Sequence, residues 1–306
     1  MLANPTTRAC AYMALSMAGF TINDTLVKTV SDTLNAGQIM VVRGAIIVAM
    51  LLLVLRMRRI SVSPAQLKNK PFLIRVFGEA FATVLFLTAI AQLPLATVTA
   101  ILQALPLVVT LGAALVFGER FGWRRLVAIL VGFIGVLMVV KPGFEGFNSY
   151  SLLVLGTVVF AATRDLATRA VPAEINSLVI TTATAACVCA VGVVMIVPTG
   201  GWAPINGHQL LTLTVASIFL FTGYQFIVLA MRQGDIATVA PFRYTSLIWA
   251  IALGFLVFGE IPDRWTLLGS AIVVATGIYA LYREHKRTKH GPALGSITSP
   301  PPGRGT

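Results

Sequence analysis

The sequence predicts an all-α polytopic membrane protein: ten transmembrane helices arranged as two five-helix repeats of inverted topology. Three observations predict it. The 306-residue chain is 57% hydrophobic and 11% charged, with a mean hydropathy of +0.87, whereas ordinary soluble domains are about a quarter charged. Its apolar residues fall into runs close to the roughly 20 residues that cross a bilayer. The chain also matches itself at an offset of 141 residues.

The composition comes first. One core cannot bury this much apolar surface, because a folded sphere of this size keeps too much outside. The surplus must face lipid. The net charge of +12 rests on 23 Lys and Arg, which are mostly confined to short loops and the C-terminal tail. No basic helix face with interleaved aromatics appears, so the charge sets topology and meets anionic headgroups. No nucleic-acid partner is expected. Cys10, Cys187 and Cys189 lie in or beside apolar stretches and read as small buried hydrophobes. Their number and spacing make neither a disulfide framework nor a zinc site. No metal and no cofactor is expected. The run Ala9 to Ile22 reads as a retained span, because no small-x-small cleavage site follows it.

Apolar runs between charged or Gly/Pro breaks give spans at roughly 9–30, 38–55, 72–91, 95–117, 123–140, 150–168, 175–197, 209–230, 236–258 and 265–282. Residues 1–8 form a short N-terminal segment, 9–143 the first repeat, 149–285 the second, and 286–306 a tail. The Ser, Gly and Pro-rich tail is expected to be disordered. The links between spans three and four, and between eight and nine, are short enough to force antiparallel hairpins.

Basic residues set the direction. One set of loops holds Arg56, Arg58, Arg59, Lys68 and Lys70, then Arg120, Arg124 and Arg125, then Arg164 and Arg169, then Arg232. The opposite loops hold only Lys141 and Arg264. Arg8 and the tail's Arg283, Lys286, Arg287 and Lys289 belong with the first set. Both termini are therefore expected in the cytoplasm.

The self-match is ungapped. Gln92 meets Gln233, Ala96-Thr97-Val98 meets Ala237-Thr238-Val239, and "LVFGE" ending at Glu119 meets "LVFGE" ending at Glu260. Asp24 meets Asp165, Lys28 meets Arg169, and Asn35 meets Asn176. Five spans per half is an odd number, so the second half enters the membrane from the other side. Inverted halves recur in secondary transporters, with the substrate site near the midplane between them.

The residues that carry a family resemblance are Arg43-Gly44 in span two and "LPLATVTAILQALP" across spans three and four. To these are added "GWRRLVAILVGFIGVLMVVKPG" after the first "GE" and "GDIATVAPFRYTSLIWAIALGFLVFGE" in the second half. The chain resembles the drug/metabolite transporter superfamily in its EamA-domain branch, over residues 9 to 284. The resemblance implies a basket-like bundle around a central cavity, with spans five and ten peripheral. It also implies transport of amino acids, nucleobases, sugars, vitamins or nucleotide-type metabolites, in either direction. Span one reads "MAGFTINDTLVK" in place of the family's aromatic first-span pattern, so no substrate carries over through that motif.

Charges inside the hydrocarbon cost about 2.5–3.5 kcal/mol each in insertion measurements and usually face a cavity or a partner. Asp24–Lys28, Arg75–Glu79 and Asp165–Arg169 are spaced i, i+4 on one helix face, which allows each pair to neutralise itself. Snorkelling to the interface is the other reading for Lys28, Arg164 and Arg169. Asp24 lies roughly 22 Å along its span, and Asp165 lies equally far into a span that starts from the other side. Asp24, Lys28, Asp165 and Arg169 are therefore the gating candidates.

The substrate-binding candidates centre on Arg243, which follows Pro241 in "APFRYTSLIW". A proline removes a backbone donor and frees a carbonyl, which a membrane span tolerates at a cavity. Tyr244 and Trp249 follow it, and Gln103 occupies the matching stretch of span four. Glu79, Arg43, Tyr224 and Gln225 complete the set. The alternative for Arg243 is an ion pair with Glu79, and for Arg43 a packing or orienting role. A guanidinium facing a cavity suits a carboxylate or phosphate.

The expectation is an exporter of a small polar metabolite, an amino acid or another carboxylate-bearing solute, working by alternating access in the inner or plasma membrane. Proton coupling would fall to Glu79 or Asp24, and the protein would be a monomer or weak homodimer. The alternatives are an uptake permease for a nucleotide-type or vitamin metabolite and a flippase of a lipid-linked substrate. No metal-binding helix, GxSxG or phosphate loop points to an enzyme. Depth along the helices excludes Glu119 and Glu260 as working acids.

Overall fold

The computed structural model describes residues 5–60, 69–118, 123–143, 147–172, 174–233 and 236–290. The first half contains α1 (Pro5–Val30), α2 (Ala36–Met57), α3 (Lys70–Ile90), α4 (Leu95–Leu102), α5 (Leu105–Phe117) and α6 (Trp123–Val140). The second contains α7 (Tyr150–Ala170), α8 (Ser177–Ile196), α9 (Gly207–Gln233), α10 (Ile236–Val239), a 3₁₀ turn (Ala240–Tyr244), α11 (Thr245–Phe258) and α12 (Arg264–His290). No strand occurs among the described residues.

Eight of these helical passages are long and apolar enough to cross a membrane, and Leu126–Val140 of α6 is a shorter apolar helix. The remaining passage, α1, has the length at 26 residues but carries Asn23, Asp24 and Lys28, which lower its hydropathy. α12 continues to His290, about two turns past the span end read from the sequence. The disordered tail was expected over 286–306; residues 286–290 are helical, and 291–306 lie outside the described residues.

Repeat-equivalent positions share local chemistry. Asn35 and Asn176 cap α2 and α8, accepting from the backbone N–H of Gln38 and of Leu178, both at 2.9 Å. The two "LVFGE" glycines end α5 and α11 in the left-handed conformation, with φ of 66° at Gly118 and 67° at Gly259. A side chain is strained there, so glycine recurs at both helix ends.

Spans four and nine are broken at matching places. Pro106 crowds the carbonyl of Leu102, four residues earlier, and Leu102 is the last residue of α4. Pro241 lies in the first turn of the 3₁₀ segment that precedes α11. The prolines are not equivalent under the 141-residue offset, yet the breaks are: Gln103 maps to Tyr244.

The packing shows the pseudo-two-fold axis. α1 lies on α9, α3 on α7, α2 on α8, α6 on α12, and α4 on α11. The offset converts the first pair into the second, maps α2–α8 and α6–α12 onto themselves, and keeps α4–α11 a contact between spans four and nine. Single residues obey it too. A Cβ on Gly19 would lie 3.2 Å from the carbonyl oxygen of Phe219, and a Cβ on Gly78 would lie 3.2 Å from that of Phe160. Adding 141 turns 19 into 160 and 78 into 219.

The outer pair α6–α12 meets through glycine. A Cβ on Gly269 would lie 2.5 Å from the Gly135 carbonyl oxygen, and backbone cannot move aside as a side chain can. Gly269→Leu is expected to destabilise the bundle by about 1–3 kcal/mol through overpacking. Thermal unfolding of purified variant and parent in one detergent measures this, and an unchanged midpoint would refute the tight contact.

Candidate functional site

A cavity of about 220 Å³ lies between the halves, walled by α1, α2, α3, α8 and α9. Its lining is organised in repeat mates: Met40 with Thr181, Arg43 with Thr184, Gly44 with Ala185, Ile47 with Val188, Glu79 with Leu220, and Thr83 with Tyr224. A cavity lined by equivalent positions straddles the axis. Close helix packing places it there. A Cβ on Gly44 would be 2.7 Å from the Cβ of Cys189, so α2 and α8 meet at contact distance.

The shape is symmetric and the charge is not. The first half contributes Asp24, Arg43 and Glu79, whereas the mates of Arg43 and Glu79 are Thr184 and Leu220. Arg43 donates from Nη2 to Asn23 Oδ1 at 2.9 Å, and Asn23 donates from Nδ2 to Asp24 Oδ1 at 2.9 Å. The Asn23 amide thus stands between a guanidinium and a carboxylate and serves both. Arg75 donates to the Thr184 hydroxyl at 2.6 Å. Across the axis, Arg164 forms an ion pair with Glu79 and donates from Nε to Asp165 at 2.8 Å. The Nε atoms of Arg43 and Arg75 are buried without a partner, and buried donors ordinarily have one. Tyr224 meets Phe20 edge to face at 5.1 Å, and its ring is exposed on the cavity wall.

These contacts correct the local pairing read from the sequence. Glu79 pairs with Arg164 on the other half, and Arg75 bonds to Thr184. Arg243 therefore does not take Glu79 as its ion-pair partner; it lies exposed, in the field of Asp165 and Arg164. Lys28 pairs with Glu260 at 2.8 Å, and Asp24 is hydrogen-bonded by Asn23. The energetic reason is common to Glu79, Arg75 and Lys28. A tertiary partner that also closes a helix–helix contact outcompetes a neighbour one turn away, whose interaction is worth about 0.2–0.5 kcal/mol in isolated helices.

Among the substrate-binding candidates, Arg43, Glu79 and Tyr224 line this cavity, as does Asp24 from the gating set. Arg243, Tyr244, Gln103, Gln225 and Trp249 are not on its wall. Gln103 donates to the Ser246 hydroxyl at 2.8 Å, so the breaks in spans four and nine bond to each other. The Tyr244 ring is buried, with its hydroxyl over Gly277 of α12. Trp249 and Gln225 are exposed, as is Arg169. Asn23, Thr83 and Thr184 were missed. Thr184 was accessible as the repeat mate of Arg43, and Asn23 as the neighbour of Asp24.

Glu260 takes a structural place. Its Oε1 pairs with Lys28, and its Oε2 accepts from the Leu95 backbone N–H at 2.7 Å. It is a structural junction between the halves. Glu119, its repeat mate, lies outside the described residues.

At the same end of the bundle, Lys141 bonds Asp263 at 2.7 Å. Partial burial pushes the Asp263 carboxyl up, but hydrogen bonds from Lys141, Thr266 and Trp265 outweigh it and hold the group at about 2.

Two inverted five-span halves around a cavity on their axis are the architecture of a membrane transporter. Residues 7–141 and 148–283 each match the EamA-like transporter family, and the chain belongs to that family. It is 30% identical over 272 residues to a pseudopaline exporter of Pseudomonas aeruginosa, covering 87% of this chain and 93% of the relative. It is 31% identical to an S-adenosylmethionine uptake transporter of Rickettsia felis, covering 63% of this chain and 65% of that one. A riboflavin transporter of Vibrio cholerae is 28% identical, covering 71% and 73%. A protein of known crystal structure shares the fold at a TM-score of 0.57 and 14% identity, over 92% of this chain and 99% of its own. The chain is therefore an integral membrane transporter of small metabolites.

Proposed function

We propose that this transporter exports a small polar metabolite bearing a carboxylate, an amino acid or a related zwitterion. The observation that carries the reading is the cavity on the axis, with Arg43 presenting a buried, unpartnered Nε beside the Asn23–Asp24 pair. A guanidinium and a carboxylate linked through the single Asn23 amide match a solute carrying both signs. A guanidinium binds carboxylates through paired hydrogen bonds. Export is favoured over uptake because the relative named as an exporter aligns over nearly its whole length, and the uptake relative over 65% of its own. The seat of action is the bacterial inner membrane with both termini in the cytoplasm, as the loop charges suggest. The protein acts as a monomer or weak homodimer. The segments around Asp24 and Asp165 move with the two gates.

Counterflow in proteoliposomes tests this. Amino acids and other carboxylate-bearing solutes are expected to exchange, and their amides and esters to fail. If only solutes lacking a carboxylate exchange, the reading is wrong. An imposed pH gradient in the same vesicles decides proton coupling, since flux indifferent to it removes Asp24 and Glu79 as proton carriers.

A further inference from the structure

A layer of polar bonds joins the two halves at one end of the bundle, the end where α1 finishes and α2 begins. There Asn35 donates to the carbonyl of Gly201, Gln38 to that of Ala203, and Gln209 to the Thr33 hydroxyl. Lys141–Asp263 adds an exposed ion pair at the same level. The most buried ion pair of this layer is Lys28–Glu260, with side chains 11% and 20% exposed.

Three segments converge on it. Lys28 comes from α1 and donates to Glu260 Oε1 and to the carbonyl of Leu93. Its ammonium lies 5.2 Å from the centre of the Phe258 ring, a cation–π contact. Glu260 comes from the end of α11 in the other half and caps α4 at the Leu95 N–H, where a negative charge meets the positive end of a helix. α1 and α11 also pack directly on each other. Leu87, which lines the cavity, is 2% exposed and packs in one buried apolar cluster with Val27, Val30 and Leu95, residues of the segments that carry this junction.

We propose that Lys28 and Glu260 form the latch that holds this end of the transport pathway shut. Separating α1 from α11 at this end requires the pair to break and both charges to hydrate, and the freed Leu95 N–H to find water. The pair is therefore made in the state closed at this end and unmade in the state open there. An ion pair that exists in one state only shifts the equilibrium by its differential free energy. By the loop charges this end faces outside, so the latch holds the carrier open to the cytoplasm. The inference rests on the alternating-access reading but not on any substrate.

The test is thiol accessibility without substrate. In a variant whose three cysteines are replaced, Leu87→Cys reports on the cavity, and a membrane-impermeant maleimide is applied to the Lys28 face of oriented proteoliposomes. Glu260→Gln keeps an acceptor for Leu95 and loses only the charge; Lys28→Met loses the partner. Each is expected to raise the labelling rate on the order of tenfold, and the double variant no further than the faster single one. Lys28→Arg keeps the charge and is expected to label slowly. Unchanged labelling in folded Glu260→Gln or Lys28→Met protein, shown by elution profile and melting temperature, overturns the latch. So does equally fast labelling in Lys28→Arg. Because no transport is read, a failed substrate screen and a failed latch are separate outcomes.

Discussion

Arg164→Met is expected to be the most destabilising single change in the cavity region, at about 3 kcal/mol. Arg164 is the cation shared by two acids, Glu79 on α3 and Asp165 beside it, with side chains 20% and 34% exposed. Removing it leaves two carboxylates in a low-dielectric wall and cuts the polar tie between the halves. Glu79→Gln should cost less, because Arg164 keeps Asp165 and the introduced amide still offers an oxygen to its guanidinium. The order of effect is the diagnostic feature: Arg164→Met well above Glu79→Gln, with the double variant recovering part of the loss. Thermal unfolding in detergent reads it, and equal costs for the two single changes would show that Asp165 does not share the charge. A symmetric ion-pair picture predicts that equality, so the measurement separates the two.

The architecture was largely written in one feature of the sequence, the 141-residue offset. It locates the helix caps at Asn35 and Asn176, the left-handed ends at Gly118 and Gly259, and the paired helix breaks near Gln103 and Tyr244. Each depends on backbone geometry set within a few residues, so each is legible locally. The charge partners were not. Spacing along one helix suggested Arg75–Glu79 and Asp24–Lys28, but it says nothing about which helix packs opposite. Only the packing of α3 on α7 brings Arg164 to Glu79, and only the packing of α1 on α11 brings Glu260 to Lys28. Glu260 was set aside because of its depth along the helix. Its position at a helix end is what lets it cap α4. The proline in "APFRYTSLIW" was a sound sign of a broken span and a poor pointer to this cavity, since the Gln103–Ser246 bond satisfies the break within the bundle.

Arg43→Met is expected to produce the largest loss of binding. A hydrogen bond to a charged group contributes about 1.5–3 kcal/mol, so apparent affinity for a carboxylate-bearing solute should fall roughly ten- to a hundredfold. Arg43 is anchored through one nitrogen only, Nη2 to Asn23, while Nε stays buried without a partner. The Nε donor is thus held in place and unspent, which is the preorganised condition for a ligand carboxylate. Arg43→Lys separates charge from geometry. If a point charge suffices, Lys restores affinity; if the planar fork is needed, Lys behaves nearly like Met. Asn23→Ala provides the companion measurement, because it removes the anchor and leaves the guanidinium. A binding role for Arg43 predicts a weaker apparent affinity with maximal flux largely kept. A role in helix packing predicts lower stability and unchanged affinity in the folded fraction. Concentration-dependent counterflow and melting temperature, measured on the same preparations, assign Arg43 to one or the other.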